Sequence, residues 1–238
     1  MTAAVALEHV SKSFTLHLRD GRSIGVVRDV SFDVNPGECV VLGGPSGAGK
    51  SSMLKMIYGN YRVDAGAIRV RDGATTVDVA TAEPRRIIAL RRRVMGYVSQ
   101  FLRVIPRVGA FDIVRDAAID GGATRDDAEA RAARLLAILN VPERLWQLPP
   151  ATFSGGEQQR INIARGLAAG HPILLLDEPT ASLDRENRAV VVDLINEKKR
   201  TGAAVVGVFH DEDVRERVAD RIVDVRFFAE SAPVPESV

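Results

Sequence analysis

From Val5 to Val34, short runs rich in Val, Phe, Leu and Ile alternate with polar residues, and turn formers interrupt them at Asp20-Gly21 and Asn35-Pro36-Gly37. A period of two with such breaks predicts antiparallel strands joined by turns. The pattern changes at Cys39 to Leu42, where four apolar residues follow one another. A short unalternated run of this kind predicts a strand buried on both faces. Helical spacing then covers Ser52 to Gly59, and Gly66 to Val70 with Thr75 to Val79 flank Asp72-Gly73 as a hairpin. Pro84 opens an amphipathic helix that runs through Arg93, and Val94 to Ser99 is a strand ending at Gln100.

Beyond Gly109 the strand pattern stops and helical spacing runs to about Pro150. Thr124 with Asp127 has the form of an N-cap box, Ala132, Leu135, Leu136 and Leu139 make an apolar stripe, and Pro142 lies just past its end. This predicts a helical lobe inserted into an α/β core. Another helix opens at Ser154 and runs to about Ala168, and a third spans Arg185 to Arg200 with Gly202 as its C-terminal cap. Between and after these, Ile173 to Leu176 and Ala203 to Phe209 are continuous apolar runs that predict buried parallel strands. Arg221 to Phe228 is expected as the last strand, and the Ala-, Pro-, Ser- and Glu-rich tail from Ala229 to Val238 as disordered.

The chemistry gathers at the ends of those apolar runs. Cys39 to Leu42 leads into Gly44-Pro45-Ser46-Gly47-Ala48-Gly49-Lys50-Ser51, followed at once by the helix from Ser52. Strand, glycine-rich turn and helix in that order form a phosphate-binding loop. The glycines let backbone amides surround phosphate oxygens, Lys50 brings a mobile charge to the β and γ phosphates, and Ser51 has a hydroxyl for a bridging magnesium ion. Ile173 to Leu176 ends in Asp177-Glu178, so one carboxylate can hold magnesium and the next can accept a proton from an attacking water. Gln100 and His210 stand at two more strand ends. The amide of Gln100 is suited to magnesium and the attacking water, and the imidazole of His210 to a γ-phosphate.

Phe14 is the aromatic of the first strands that suits stacking on a purine base. Ser154-Gly155-Gly156-Glu157 combines a reciprocal cap with open amides at a helix N-terminus, a second phosphate-binding surface. Because the phosphate loop is already complete, the two surfaces are expected to meet between chains.

Charge and cysteine content narrow the setting. The 238 residues carry 32 Lys plus Arg against 31 Asp plus Glu, a net charge of +1 that gives no general attraction to nucleic acid or anionic membrane. Arg85, Arg86, Arg91, Arg92 and Arg93 form a local basic cluster, expected as a solvated helix face. Cys39 is the only cysteine, which excludes disulfides and cysteine-ligated zinc within the chain. No run approaches the ~18 apolar residues of a membrane span, and a cytoplasmic protein without direct membrane insertion is expected.

Gly44 to Ser51, Gln100, Ser154 to Gln158, Ile173 to Glu178, Ser182 to Asp184 and His210, in that order, resemble the ATP-binding-cassette (ABC) ATPases. The resemblance covers nearly the whole chain. It implies a P-loop NTPase fold of the ABC type: a RecA-like core, an antiparallel β subdomain and an inserted α-helical subdomain. The expected division is 1–108 for the β subdomain and first part of the core, about 109–165 for the helical subdomain, and 166–228 for the rest of the core. It further implies ATP and Mg2+ as cofactors and a head-to-tail pair of cassettes, formed by two copies or by a related cassette subunit. Ser154 and Gly156 of one chain would contact the γ-phosphate held by the other, and Asp184 would line the same seam. Glu157 stands where the family's signature usually has glutamine, a replacement many members share.

Four connecting segments, Ser99 to Arg107, Leu139 to Trp146, Thr152 to Arg160 and Val208 to Glu212, resemble the PhnL subunit family of the bacterial carbon–phosphorus lyase system. That resemblance implies soluble lyase subunits as partners and a role in organophosphonate catabolism. The competing expectation is the cytoplasmic ATP-hydrolysing subunit of a membrane transporter for lipoprotein export or small molecules, since Ser-Gly-Gly-Glu-Gln signatures resemble those cassettes as well.

Overall fold

A computed structural model of the chain describes residues 3–16, 22–102 and 106–228. The expected turn at Asp20-Gly21, the tail from Ala229, and Arg103 to Ile105 of the first connecting segment lie outside these residues. In chain order the elements are β1 (Val5–Leu16), β2 (Arg22–Val34), β3 (Cys39–Gly43), α1 (Lys50–Ile57), β4 (Ala65–Asp72), β5 (Thr75–Asp78), α2 (Pro84–Arg93) and β6 (Met95–Val98). They continue with α3 (Ala110–Asp120), α4 (Arg125–Ile138), α5 (Gly155–Ala168), β7 (Ile173–Asp177), α6 (Arg185–Arg200), β8 (Ala204–Val208), α7 (Glu212–Val218) and β9 (Arg221–Asp224). Short 3₁₀ turns lie at Glu143–Leu145, Pro150–Thr152 and Val225–Phe228.

The strands form two sheets. One is antiparallel with order β2-β1-β4-β5, and the other is parallel with order β6-β7-β8-β3-β9. The unalternated runs belong to the parallel sheet, and the reason is coverage of both faces. Cys39 and Val41, Leu174 and Leu176, and Val205 point into a core completed by the helical segment and α6 and α7. Their neighbours Val40 and Leu42, Ile173 and Leu175, and Val206 and Val208 point into a second core with α1, α2 and the antiparallel sheet. Cys39 is fully buried, and burial pushes its thiol up to about 12, so it is an inert core residue.

Parallel register sets where the chemistry sits. Val98 pairs with Leu176, Asp177 with Val208, and Val41 with Gly207. The residues that follow β6, β7, β8 and β3 therefore emerge together at the carboxyl edge of the sheet, where ligands bind in α/β folds.

Several expected boundaries shift for local reasons. The first helix begins at Lys50, directly after Gly49 in a left-handed conformation with φ of 89°, and stops at Ile57. The last strand ends at Asp224 instead of Phe228, because the Asp224 carboxylate accepts bonds from the backbone amide and guanidinium of Arg226 and turns the chain. The helix α7 follows Asp211, whose side chain accepts from Val214 N at 3.1 Å. In the helical segment Thr124 caps α4 by accepting from Asp127 N at 3.3 Å, and the stripe Ala132, Leu135, Leu136 and Leu139 is buried. The lobe boundary expected near 165 falls inside α5.

The arginines of α2 are largely engaged. Arg86 and Arg93 meet Asp72 at 3.0 and 3.2 Å, Arg92 meets Asp120 at 3.1 Å, and Arg91 donates to Tyr58 O and Asn60 Oδ1.

Candidate nucleotide site

The loop after β3 takes its shape from three glycines with positive φ, Gly44 at 121°, Gly47 at 82° and Gly49 at 89°. Other residues adopt this region only with strain. Gly49 is also pressed against β2: a Cβ there would lie 2.8 Å from Val26 Cγ1 and 3.1 Å from Val26 O. A Cβ on Gly47 would meet open space, so the loop is tight at its base and free at its mouth. Pro45, Ser46 and Ala48 complete the turn, closed by Ala48 N donating to Pro45 O at 3.3 Å, and Ser52 lies in the first turn of α1.

Lys50 is buried, and its ammonium folds across its own loop to donate to Gly44 O at 2.8 Å and Pro45 O at 2.7 Å. Among the described residues this charge is paired only with carbonyl dipoles, which leaves it available to anionic oxygens in the loop.

Ser51 Oγ donates to Asp177 Oδ1 at 2.7 Å, bridging α1 and the end of β7. The other carboxylate oxygen, Oδ2, accepts from the Tyr97 hydroxyl at 2.8 Å. Asp177 is buried. Burial, reinforced by the neighbouring carboxylate, pushes the Tyr97 phenol well above its ordinary range and keeps it a donor.

Glu178 has φ of 52°, a left-handed conformation for a non-glycine residue, and its amide donates to Val208 O at 3.1 Å. Its carboxylate lies between Gln100, whose Nε2 donates to Oε2 at 3.1 Å, and His210, whose Nε2 is 2.7 Å from Oε1. For that last contact to be a hydrogen bond the imidazole carries its proton on Nε2. The structure thus brings Lys50, Ser51, Gln100, Asp177, Glu178 and His210 to one edge.

These residues fit a nucleotide with magnesium. Among the described residues no group of three or more His, Cys, Asp and Glu is arranged to hold a metal ion. What is present is a hydroxyl, a carboxylate and an amide oxygen, all hard donors, beside a loop shaped for phosphate. Mg2+ is held by just such a small protein set completed by phosphate oxygens and water.

The remaining expected residues lie apart from this group. Ser154 and Glu157 make a full capping box on α5: Ser154 N donates to Glu157 Oε2 at 2.9 Å and Glu157 N to Ser154 Oγ at 3.3 Å. The bonds from Ser154 hold the Glu157 carboxyl below its usual range. Among the described residues no hydrogen bond or ion pair joins Ser154, Gly155, Gly156 or Glu157 to Gly44 through Ser51. Gly156 instead approaches Ser182, whose carbonyl would lie 3.1 Å from an added Cβ. Asp184 caps α6, accepting from Asn187 N at 2.8 Å and from Asn187 Nδ2 at 2.9 and 3.0 Å, which lowers its pKa. Phe14 packs edge-on to Tyr61 with ring centres 5.2 Å apart, opposite Ile24 of the strand that touches Gly49 at Val26.

Several supporting contacts carry no motif of their own. Asn162 Nδ2 donates to Ser99 O at 2.6 Å and Gln159 Nε2 to Pro179 O at 2.9 Å, so α5 holds the chain next to both Gln100 and Glu178. Arg188 joins Leu183 O to the Asp211 carboxylate, and Asn140 Nδ2 donates to Asn187 Oδ1 at 3.1 Å. The one sequence signal for Tyr97 is a hydroxyl in an otherwise apolar strand.

Residues 27–181 match the family model described as ABC transporter. The chain belongs to the ABC transporter ATPase family. It is 34% identical over 222 residues to the macrolide export ATP-binding/permease protein MacB of Bradyrhizobium diazoefficiens, and 36% identical to that of Brucella abortus. Each match covers 93% of this chain and 33% of the relative, so the chain spans about a third of the length of these relatives. Among solved structures, the cassette MJ0796 in a dimeric post-hydrolysis state bound to ADP and Pi superposes with a TM-score of 0.82 at 29% identity, covering 92% of this chain and 93% of that one. An ATP-binding subunit of an ABC transporter superposes at 0.79 with 27% identity, covering 94% and 85%. The fold is the P-loop NTPase fold of an ABC cassette, and the family hydrolyses ATP.

Proposed function

We propose that this chain binds Mg-ATP in the loop from Gly44 to Ser52 and hydrolyses it when a second cassette closes head to tail over the nucleotide. The observation that carries the reading is the placement of Glu178 between Gln100 and His210, beside the Ser51–Asp177 pair.

In this reading the amides of the glycine loop and the Lys50 ammonium bind the phosphates, and Phe14 stacks on the base. Ser51 and Asp177, with Gln100, would hold the magnesium ion, which supplies neutralisation of charge on the transferring phosphate. A water lying between Glu178 and the γ-phosphate gives its proton to the Glu178 carboxylate as its oxygen bonds to phosphorus and ADP leaves. Gln100 and His210 fix the carboxylate, and with ATP bound the His210 Nε2–H would turn from Glu178 to the γ-phosphate. Ser154, Gly155, Gly156 and Glu157 of the partner cassette would close the other side, with Asp184 at the seam. A dimer fits the separation of that surface from the phosphate loop within one chain, and MJ0796 itself is described as dimeric.

For the machine being driven, the names of the relatives favour a membrane exporter. MacB is named as a macrolide export ATP-binding/permease protein, and two thirds of its length lies outside the match. No helix among the described residues is long and apolar enough to cross a membrane, so in this reading the permease lies outside them. A second reading rests on the resemblance of the four connecting segments to the PhnL subunit family, which would make the chain an ATPase of the carbon–phosphorus lyase system. Partner choice lives in such segments, whereas the ATP-handling motifs are shared across the family. Phe101 in the first of them is 71% exposed, a side chain ready for contact with a partner.

One experiment addresses both levels. Tagged Glu178→Gln protein is incubated with ATP and Mg2+ and purified from phosphonate-grown cells in mild detergent. ATP-dependent dimerisation supports the site, and a monomer at saturating ATP overturns it. Recovery of an integral membrane permease assigns the exporter role, and recovery of soluble lyase subunits assigns the lyase role.

A further inference from the structure

The Asp177 carboxylate is held from both sides. Ser51 Oγ donates to Oδ1 at 2.7 Å and the Tyr97 hydroxyl to Oδ2 at 2.8 Å. Two donors on opposite oxygens stop rotation about the Cβ–Cγ bond, so the lone pairs left over keep a fixed direction. Ser51 still has its own lone pairs for a metal, because its proton is directed at Asp177.

The Tyr97 ring is itself fixed. It packs on Tyr58 with ring centres 5.0 Å apart, and the Arg91 guanidinium sits 4.5 Å from the Tyr58 ring on α2's side of the stack. Arg91 is anchored to Tyr58 O at 2.9 Å and Asn60 Oδ1 at 2.7 Å. The hydroxyl therefore stands on a ring packed at a tilt of 42° against a second ring that Arg91 covers. Beside it lies a cavity of about 610 Å³ bordered by Ser51, Tyr97, Gln100 and Asp177. Without the hydroxyl, that space admits water to Oδ2 and frees the carboxylate to rotate.

We propose that Tyr97 is a positioning residue for the metal-binding carboxylate: its hydroxyl orients Asp177 so that Mg2+ is taken up with the nucleotide. The proposal rests on the nucleotide reading of the site. A ring alone would fill the same space in β6, and the hydroxyl is the part that the packing leaves unexplained. Groups that orient a metal ligand in this way typically account for about 10- to 100-fold in metal affinity.

The test is equilibrium binding of a fluorescent ADP analogue to the full chain at stepped free Mg2+ concentrations. Wild type, Tyr97→Phe and Tyr58→Phe are compared, with Tm measured for each. Tyr97→Phe keeps every ring contact and is expected to raise the Mg2+ midpoint about 10- to 100-fold, with unchanged affinity in EDTA. Tyr58→Phe, which takes a phenol from the same stack without touching Asp177, is expected to match wild type. A Tyr97→Phe midpoint within about twofold of wild type overturns the proposal, as does an equal shift in Tyr58→Phe. Absence of Mg2+-dependent binding in wild type would instead overturn the nucleotide reading itself.

Discussion

Glu178 Oε1 and His210 Nε2 lie 2.7 Å apart, although the two residues are 32 positions apart in the chain. The contact follows from strand register. Asp177 pairs with Val208 across the parallel sheet, so the next residues of β7 and β8 leave the same edge side by side. The left-handed backbone at Glu178 then keeps its amide on Val208 O while the carboxylate faces the imidazole. A strained non-glycine conformation at a strand end is the kind of local cost that functional sites retain.

Replacing Glu178 by Gln keeps the side chain's shape and removes its ability to take a proton. ATP binding should survive and steady-state hydrolysis should fall about 10²- to 10⁴-fold, the range for a lost general base. Phosphate release is the readout. Turnover equal to wild type would remove Glu178 from the proposed role.

The capping box at Ser154 separates stability from function. Ser154→Ala removes the acceptor for Glu157 N and should cost about 1 kcal/mol of stability, seen as a lower urea midpoint. Glu157→Gln keeps a side-chain acceptor for Ser154 N and should lose less. If Ser154 also meets the partner's nucleotide, Ser154→Ala will lose ATP-dependent dimerisation well beyond what Glu157→Gln loses. Equal loss in both variants would reduce Ser154 to a helix cap.

Gly66 has φ of 87°, and a Cβ there would lie 2.4 Å from His9 O and 2.5 Å from Glu8 O, where β1 and β4 shift register. Both obstacles are backbone and cannot move like a side-chain tip. Gly66→Ala combines left-handed strain with this clash and should destabilise the protein by more than about 2 kcal/mol. An unchanged urea midpoint would contradict the local geometry.

What was legible in the sequence is whatever one segment encodes alone. The turn of Gly44 to Gly49, the cap from Ser154 to Glu157, the hairpin at Gly73 and the unalternated runs of β3, β7 and β8 each depend on residues a few positions apart. Gln100, Asp177, Glu178 and His210 were visible because each follows an apolar run, and parallel register did the rest. Tyr97 on Asp177, Asn162 on Ser99 and Asn140 on Asn187 were not, because they span 80, 63 and 47 positions and depend on how elements meet. The end of β9 was missed because the apolar run continues to Phe228 while a polar pair, Asp224 and Arg226, decides the turn.

His171 gives stability a pH dependence whose sign follows from burial. Its Nδ1 is shielded without a hydrogen-bond partner among the described residues, and Nε2 lies 3.2 Å from Arg92 O. Desolvation, with Lys198 adding repulsion, lowers the histidine's folded pKa, against bonds to the Arg92 and Arg91 backbone that raise it. The unfolded chain, with an ordinary value near ~6.5, thus binds more protons in the window just below that value. The contribution is fully present above the unfolded pKa and is lost as pH falls through that window toward the folded pKa. Wild type should therefore lose Tm between about pH 7.5 and about pH 5.5, and His171→Leu should lose less over the same interval, whatever its starting Tm. The lowered carboxyls of Glu157 and Asp184 respond only further down, below the ordinary carboxylate range, and do not enter this interval. Identical pH slopes in the two proteins would place the sensitivity elsewhere.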